Sequence, residues 1–229
     1  LTTIAYERVF NNHQILTGYK NTVFYTLLGT AINIILTTMT AYPLSRRDFK
    51  ARKFITFLFT FTMLFSGGLI PTFLVVRNLG LMNTVWALIL PGAISSWNMF
   101  IMKNYFQTSI PGELYEAARI DGANGRQTLF KVIIPNVMPS IATCTFLTLT
   151  NGFKLFDQNL ALTGGMPSML VEGGKINATE LLALNIYSTY NIGKNYHGVA
   201  QAKAVIFFLL VAVLAIIQQK ATSRKEVQQ

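Results

Sequence analysis

Five long apolar runs, separated by short polar and charged stretches, set the pattern of this chain: residues 22–44, 54–76, 84–102, 136–156 and 202–218. A helix rising 1.5 Å per residue needs about 20 mainly apolar residues to cross a bilayer, and each run approaches that length. The predicted fold class is therefore all-α, a polytopic membrane protein with five visible spanning helices. The second run is interrupted by Gly67, Gly68 and Pro71. Two readings stay open there: a discontinuous helix lining a polar pathway, or a helix end followed by a re-entrant turn. The fourth run carries Thr143, Thr145, Thr148, Thr150, Asn151 and Lys154. Such a load suits a cavity or neighbouring helices better than lipid. Polar positions from Thr30 to Thr40 in the first run suggest packing between helices through small side chains.

Composition sharpens this reading. Of 229 residues, 52% are hydrophobic and 12% charged, with a mean hydropathy of +0.42. Soluble domains carry about 25% charged residues. The net charge of +10 does not point to nucleic acid, because the basic residues flank the apolar runs rather than forming one soluble face. Cys144 stands alone within an apolar run and reads as a packing residue. His13 and His197 lack ligand-spaced neighbours, so no metal or other cofactor is expected.

Positive charge orients the spans. Arg46, Arg47, Lys50, Arg52 and Lys53 fill the connection after the first run; Lys103, Arg119, Arg126 and Lys131 lie in the third-to-fourth connection; Lys220, Arg224 and Lys225 follow the fifth run. If the runs alternate, all three groups fall on one side, which the positive-inside rule makes cytoplasmic. Residues 1–21 and the long connection 158–199 fall outside. Residues 1–19 contain no sustained apolar stretch, and an external first residue is most simply explained by a further helix upstream.

The most informative stretch is EAARIDGANGRQTLFKVIIP, residues 116–135. Pro111 suits a helix start, Ala117 and Ala118 allow close approach of another surface, Asp121 favours a turn, and Gly122 can end a short helix at positive φ. A second helix can then run from Gln127 towards the membrane, with Pro135 at its entry. The result is an L-shaped cytoplasmic element, rigid enough to transmit a partner's motion. The anchors are Glu116, Ala117 and Ala118, then three residues, Gly122, nine residues, and Val132-x-Ile134-Pro135. This resembles the coupling segment of the permease subunits of bacterial ABC importers, with Val132 and Ile134 as apolar departures from Ile and Leu. The likeness extends over nearly the whole chain, through AYPLSRRDF, SGGLIPTFLVV, GLMNTVWALILPGA and SIPGELYEAARIDGA, and resembles the carbohydrate-uptake branch. From Phe130 onward, NGFKLFDQNLALTGGMPS is similar to maltose-type and glycerol-phosphate-type permeases, whereas the earlier half is closer to a relative associated with complex polysaccharides.

The resemblance implies a multi-pass protein of the bacterial plasma membrane with no catalysis of its own. It implies six spans, the first of them absent here, and a transmembrane domain over residues 22–218. That domain follows an external segment, 1–21, contains the coupling segment 113–135 and precedes a cytoplasmic tail, 219–229. It also implies a second permease subunit forming a heterodimer, two ATP-binding cassette subunits and an extracytoplasmic sugar-binding protein. No G-x-x-x-x-G-K-[ST] phosphate loop occurs in the chain, so ATP would bind elsewhere. Glu116, Ala117, Ala118, Asp121, Gly122 and Pro135 are the implied ATPase-coupling residues. Candidates for the substrate pathway are Trp97, Asn98, Asn151, Lys154, Phe156 and Asp157, since sugars are held by hydrogen-bonding side chains and aromatic faces. Alternatively these residues join helices, or Lys154 and Asp157 form a local ion pair. An importer of a non-carbohydrate solute and an ATP-independent membrane protein are the competing functional readings.

Overall fold

The computed structural model describes residues 4–10, 13–171 and 174–226. The helices are α1 (Ile4–Phe10), α2 (His13–Ser45), α3 (Arg52–Leu64), α4 (Leu69–Asn78), α5 (Val85–Ile89) and α6 (Ser96–Ser109). They continue with α7 (Gly112–Ile120), α8 (Gly125–Gln127), α9 (Ile134–Asn136), α10 (Met138–Phe153), α11 (Asp157–Leu162), α12 (Leu182–Ile192) and α13 (His197–Glu226). A two-stranded antiparallel hairpin, β1 (Ser168–Val171) and β2 (Gly174–Asn177), pairs Ser168 with Asn177 and Val171 with Gly174. This hairpin is the one departure from an all-α fold among the described residues, and it lies in the long connection 158–199.

Two helical stretches, Ile15–Ser45 and Lys194–Lys220, are long and apolar enough to cross a membrane unbroken. Two further spans arise if bent pairs are counted: Val85–Gly92 with Ser96–Ser109, bent by 47°, and Gly125–Asn136 with Met138–Phe153, bent by 70°. The second expected span is not one helix. It divides into α3 and α4, of 13 and 10 residues, each too short alone for about 30 Å of hydrocarbon. The break spans residues 65–68: Phe65 is already extended at the end of α3, and Gly68 precedes α4 at φ +80°, which a helix cannot accommodate. The tail expected from residue 219 continues helically within α13 to Glu226.

The chain forms two compact units. One draws on residues 1–30, 67–93 and 149–217, the other on 31–66, 94–148 and 218–229. Their division in the second apolar run falls after Ser66, at the same break.

Helix α2 contributes to both units and explains why the buried residues are so polar. Thr22, Thr26, Thr30, Asn33, Thr37, Ala41 and Leu44 are all buried and recur every three or four residues. Phe24, Leu27, Ile35 and Met39 are exposed on the same helix. A soluble helix buries its apolar stripe; here small and polar side chains turn inwards and large apolar ones face outwards, as lipid demands.

In the first unit several of the polar groups find specific partners. Thr22 Oγ1 accepts a hydrogen bond from the Leu182 backbone N–H at 2.8 Å, completing the start of α12. Asn159 donates to Thr179 O at 2.7 Å and accepts from Leu181 N–H at 3.1 Å. Asn21 and Tyr25 both donate to Ala178 O, at 2.9 and 2.7 Å. Lys203 is buried in α13; its ammonium donates to Asn185 Oδ1 at 2.8 Å and to Thr189, and Asn185 donates in turn to Glu180 Oε1 at 3.2 Å. A cation buried in a span is tolerated only with such partners.

In the second unit the apolar core is Ala41, Leu44, Met99, Met102, Phe106, Ile110, Ile133, Val137 and Cys144. Beside it Asn98 donates to Thr148 Oγ1 at 2.9 Å, and Thr148 Oγ1 lies 3.1 Å from Asn33 Oδ1. Helices α2, α6 and α10 are thereby joined. Interhelical hydrogen bonds of this kind contribute about 0.6 kcal/mol each on average.

One close approach in the first unit sets a steric limit. A Cβ at Gly152 of α10 would stand 2.8 Å from Thr26 Cγ2 of α2. Thr26 is buried, and its branched side chain has few rotamers in a helix. We expect Gly152→Ala to destabilise the protein by about 1–3 kcal/mol, read as a lowered Tm in detergent. Adding Thr26→Ala should recover most of the loss; failure to recover it would remove the contact as the cause.

Candidate functional site

Residues 111–137 build a two-sided element from local rules. Leu114 N–H bonds to Pro111 O at 3.1 Å as α7 begins. At 100° per residue, Leu114, Tyr115 and Ala118 share one face, and Glu113, Glu116, Ala117 and Ile120 share the other. The burial follows that division. Ala118 is buried, and Leu114 and Tyr115 are half-buried against the core of the second unit, whereas Glu113, Glu116, Ala117 and Ile120 are exposed. Ile120 is 86% exposed, unusual for an isoleucine, and Phe130 beyond the turn is exposed too.

The end of α7 is a glycine-dependent stop. Asp121 N–H bonds to Ala117 O at 3.0 Å, and Ala123 N–H reaches back to Ala118 O at 2.9 Å. That six-residue return requires positive φ at the residue between, and Gly122 supplies φ +74°. A Cβ there would meet nothing within 4 Å, so the requirement is conformational rather than steric. The next helix starts at once with a reciprocal cap. Gln127 N–H donates to Asn124 Oδ1, and Asn124 N–H donates to Gln127 Oε1, both at 2.9 Å.

Beyond the cap, residues Thr128–Ile133 wind as a π-helix, with Ile134 N–H bonded to Leu129 O. Pro135 follows directly. A proline ring clashes with the carbonyl four residues earlier, and the wider π turn gives it room. Asn136 Nδ2 donates to Val132 O at 2.7 Å and satisfies a carbonyl in this irregular stretch. Ile133 and Val137 are fully buried and fix the element to the core.

A second anchor comes from the basic connection after α2. The Arg46 guanidinium lies 4.4 Å from the centre of the Tyr115 ring and 3.2 Å from Asp48. Burial and the neighbouring Tyr42 hold the Tyr115 phenol above its ordinary range, against the opposing charge of Arg46, so the ring is neutral at physiological pH. This contact brings the most basic connection and α7 to the same end of the second unit, as the charge rule requires if both are cytoplasmic.

The pathway candidates divide between the units. Trp97 and Asn98 belong to the second, and Asn151, Lys154, Phe156 and Asp157 to the first. Asn98 is buried and joins α6 to α10, while its neighbour Trp97 is 57% exposed. Asn151, Lys154 and Asp157 are exposed, and Lys154 and Asp157 form no ion pair; the one ion pair among the described residues is Arg46 with Asp48. Phe156 meets Tyr187 edge to face at 5.1 Å. It opens onto a cavity of about 360 Å³ lined also by Ile186, Tyr190, Ala200 and Gln201. Tyr190 stacks on His197 at 4.1 Å. Tyr187, Tyr190 and Gln201 escaped the sequence reading, although the three-residue spacing of the tyrosines within a foreseeable helix was a signal for a shared aromatic face.

Residues 15–226 match the family described as binding-protein-dependent transport system inner membrane component. The chain belongs to this family of membrane-embedded transport permeases. Over 139 residues it is 50% identical to the polygalacturonan/rhamnogalacturonan transport system permease protein YtcP of Bacillus subtilis (strain 168), covering 61% of this chain and 48% of that relative. It is 31% identical over 210 residues to the galactooligosaccharides transport system permease protein GanQ of the same organism, covering 88% and 69%. The chain spans about half the length of several of the curated relatives it matches, 48% for the first and 46% for the probable starch degradation products permease AmyD of Thermoanaerobacterium thermosulfurigenes. A crystal structure of a bacterial ABC transporter involved in import of the acidic polysaccharide alginate aligns with a TM-score of 0.81 at 30% identity, covering 94% of this chain and 78% of that one. A second structure, of the alginate transporter with a periplasmic protein bound to an alginate pentasaccharide, shares the fold at a TM-score of 0.64 and 17% identity.

Replacing Gly122 tests the stop. Gly122→Ala should strain the left-handed position by about 1 kcal/mol and speed amide exchange at residues 121 and 123 about fivefold. Gly122→Asn, which tolerates that conformation, should have a smaller effect. Equal exchange in both variants and the parent would show that positive φ does not hold this turn.

Proposed function

We propose that this chain is the transmembrane subunit of an ATP-driven sugar importer of the bacterial plasma membrane. It pairs with a second permease subunit to form the translocation pathway, is driven by two separate ATP-binding cassette subunits, and receives sugar from an extracytoplasmic binding protein. The observation that carries the reading is the two-sided α7. Its exposed row, Glu113, Glu116, Ala117 and Ile120, stands opposite a face locked to the core through Leu114, Tyr115 and Ala118. An exposed apolar residue flanked by carboxylates and a small alanine suits a groove in a partner protein. Because the opposite face is fixed, displacement of the row moves the core with it, which is what coupling to an ATPase requires.

Family membership supports a transport permease, and the polysaccharide and oligosaccharide systems named for its relatives support sugar as the solute. Glu116, Ala117, Ala118, Asp121, Gly122 and Pro135 are assigned to coupling: Glu116 and Ala117 present the docking face, Ala118 packs behind it on the core, and Asp121, Gly122 and Pro135 set the turn and the entry into α10. For the solute, the aromatic group Phe156, Tyr187 and Tyr190 with Gln201 offers apolar ring faces beside a hydrogen-bonding amide, the pairing that sugars need. Trp97, Asn151, Lys154 and Asp157 remain exposed and available to it.

Crosslinking tests the docking face. Cys144 is buried and is replaced first by Ser; Ala117→Cys is then co-expressed with ATPase subunits carrying single cysteines in the docking groove. A crosslink that changes with nucleotide is expected. Its absence, in an assembled complex with folded ATPase, would remove α7 from the interface. In the same complex Glu116→Lys and Gly122→Asp should reduce transport about tenfold or more while ATP hydrolysis persists. Unimpaired transport in both would contradict the assignment.

A further inference from the structure

The second unit contains an open cavity of about 650 Å³ lined by Arg47, Lys50, Arg52, Lys53 and Lys103, with Phe49, Thr56, Phe57 and Thr60 completing its wall. Its charge is one-sided: five cations line it and no carboxylate does. Topology alone explains basic residues in the connection after α2, but not why Lys103 joins them from another helix, α6. Lys103 is buried, donates at 3.3 Å to the neutral Thr56 hydroxyl, and lies 5.4 Å from the Phe100 ring. A buried ammonium gathered among like charges is stabilised when an anion occupies the space between them.

The surroundings indicate which anion. The cavity opens at the first turns of α3, a helix with no buried residue. Phe57, one of the lining residues, begins a row with Phe61 and Phe65 at four-residue spacing, their rings 6.4 and 4.7 Å apart in succession. All three are more than 45% exposed. Charge at the cytoplasmic end of an apolar helix, continuous with a bare aromatic row, matches a molecule that is anionic at headgroup depth and apolar beyond it. A free phosphate would use the cations but leave the row bare. An acidic protein surface would be expected to meet a polar rim there instead.

We propose that this cavity binds an anionic phospholipid, with the phosphodiester held by Arg47, Lys50, Arg52, Lys53 and Lys103 and an acyl chain lying along Phe57, Phe61 and Phe65. The site rests on the membrane placement of the chain and not on the solute it transports. Lipid bound there would brace the connection that carries Arg46, and through Arg46 the ring of Tyr115 on α7.

The assembled transporter, delipidated in neutral detergent, is titrated with phosphatidylglycerol, phosphatidylcholine, glycerol 3-phosphate and inorganic phosphate, and bound species are counted by native mass spectrometry. The variant is Arg52→Gln with Lys53→Gln, which leaves Arg46, Arg47 and Lys50 to orient the spans. Phosphatidylglycerol should be retained in preference to phosphatidylcholine, and the variant should weaken its binding about tenfold or more, since each cation near an anionic headgroup contributes roughly fivefold. Exchanging the pair, Arg52→Lys with Lys53→Arg, should preserve binding and so separate charge from folding. Removing cations elsewhere, Lys20→Gln with Lys194→Gln, should leave it unchanged. Equal binding of phosphatidylglycerol and phosphatidylcholine would overturn the proposal. So would displacement of the lipid by millimolar glycerol 3-phosphate or inorganic phosphate, or loss of a partner subunit in place of lipid from the charge-neutral variant. None of these readouts depends on transport, so a failed sugar assay leaves the result standing.

Discussion

Every polar group that enters hydrocarbon must be satisfied inside the protein, and this constraint shapes the chain from α2 outwards. The buried stripe from Thr22 to Thr37 is too polar for the core of a soluble helix, and too small to be excluded from a membrane one. Each unit uses part of it. In the first, Thr22 caps the start of α12; in the second, Asn33 meets Thr148, which in turn accepts from Asn98. Several threonines also return their hydroxyls to carbonyls of the preceding turn, as Thr38 does to Ile34 O at 2.7 Å and Thr40 to Leu36 O at 2.8 Å. Such a side chain satisfies itself while leaving a small surface for a neighbouring helix. The large apolar residues left outside are then a consequence of lipid and not a defect of packing.

The segment 111–137 obeys a different constraint, because it is held rigidly without being deep. Its rigidity comes from fixed ends. Gly122 returns the chain on itself, Asn124 and Gln127 cap each other, Ile133 and Val137 enter the core, and Arg46 presses on Tyr115 from another connection. No member of this set lies on the row Glu113, Glu116, Ala117 and Ile120. The groups that hold the element are thus separate from those it presents, so a partner surface can vary without loosening the support. The π turn leads into α9 and Pro135, and the 70° bend between Asn136 and Met138 redirects the chain from the exposed element into α10.

Much of this was legible in sequence, because its causes are local. Spacing alone placed Gly122 at the end of α7, but it offered Ala117 and Ala118 alike to a partner surface, whereas the structure exposes Ala117 and buries Ala118 against the core. Charge alone put the basic connection and α7 at one end, and Arg46 over Tyr115 is the contact that joins them. What sequence could not supply is pairing across distance. Asn98 looked available to a solute, yet it bonds Thr148 fifty residues away. Lys203 sat unnoticed in an apolar run because its partners, Asn185 and Thr189, come from another helix. The second run has the apolar length of a span; its glycines and Pro71 marked an interruption, but not that the helix ends at Leu64 and restarts at Leu69.

The cations of the connection after α2 therefore carry more than one consequence. A basic connection would orient the spans wherever its side chains pointed, so orientation constrains their number and not their placement. Here their placement is specific. Arg46 turns to Tyr115 and Asp48, while Arg47, Lys50, Arg52 and Lys53 surround a cavity that also receives Lys103. Adjacent residues of one short connection thus point to two environments, one against α7 and one lining the basic cavity. Mutual repulsion among the second group would spread them apart in isolation. Their convergence favours an anion between them, and that anion would act on α7 through a connection only a few residues long.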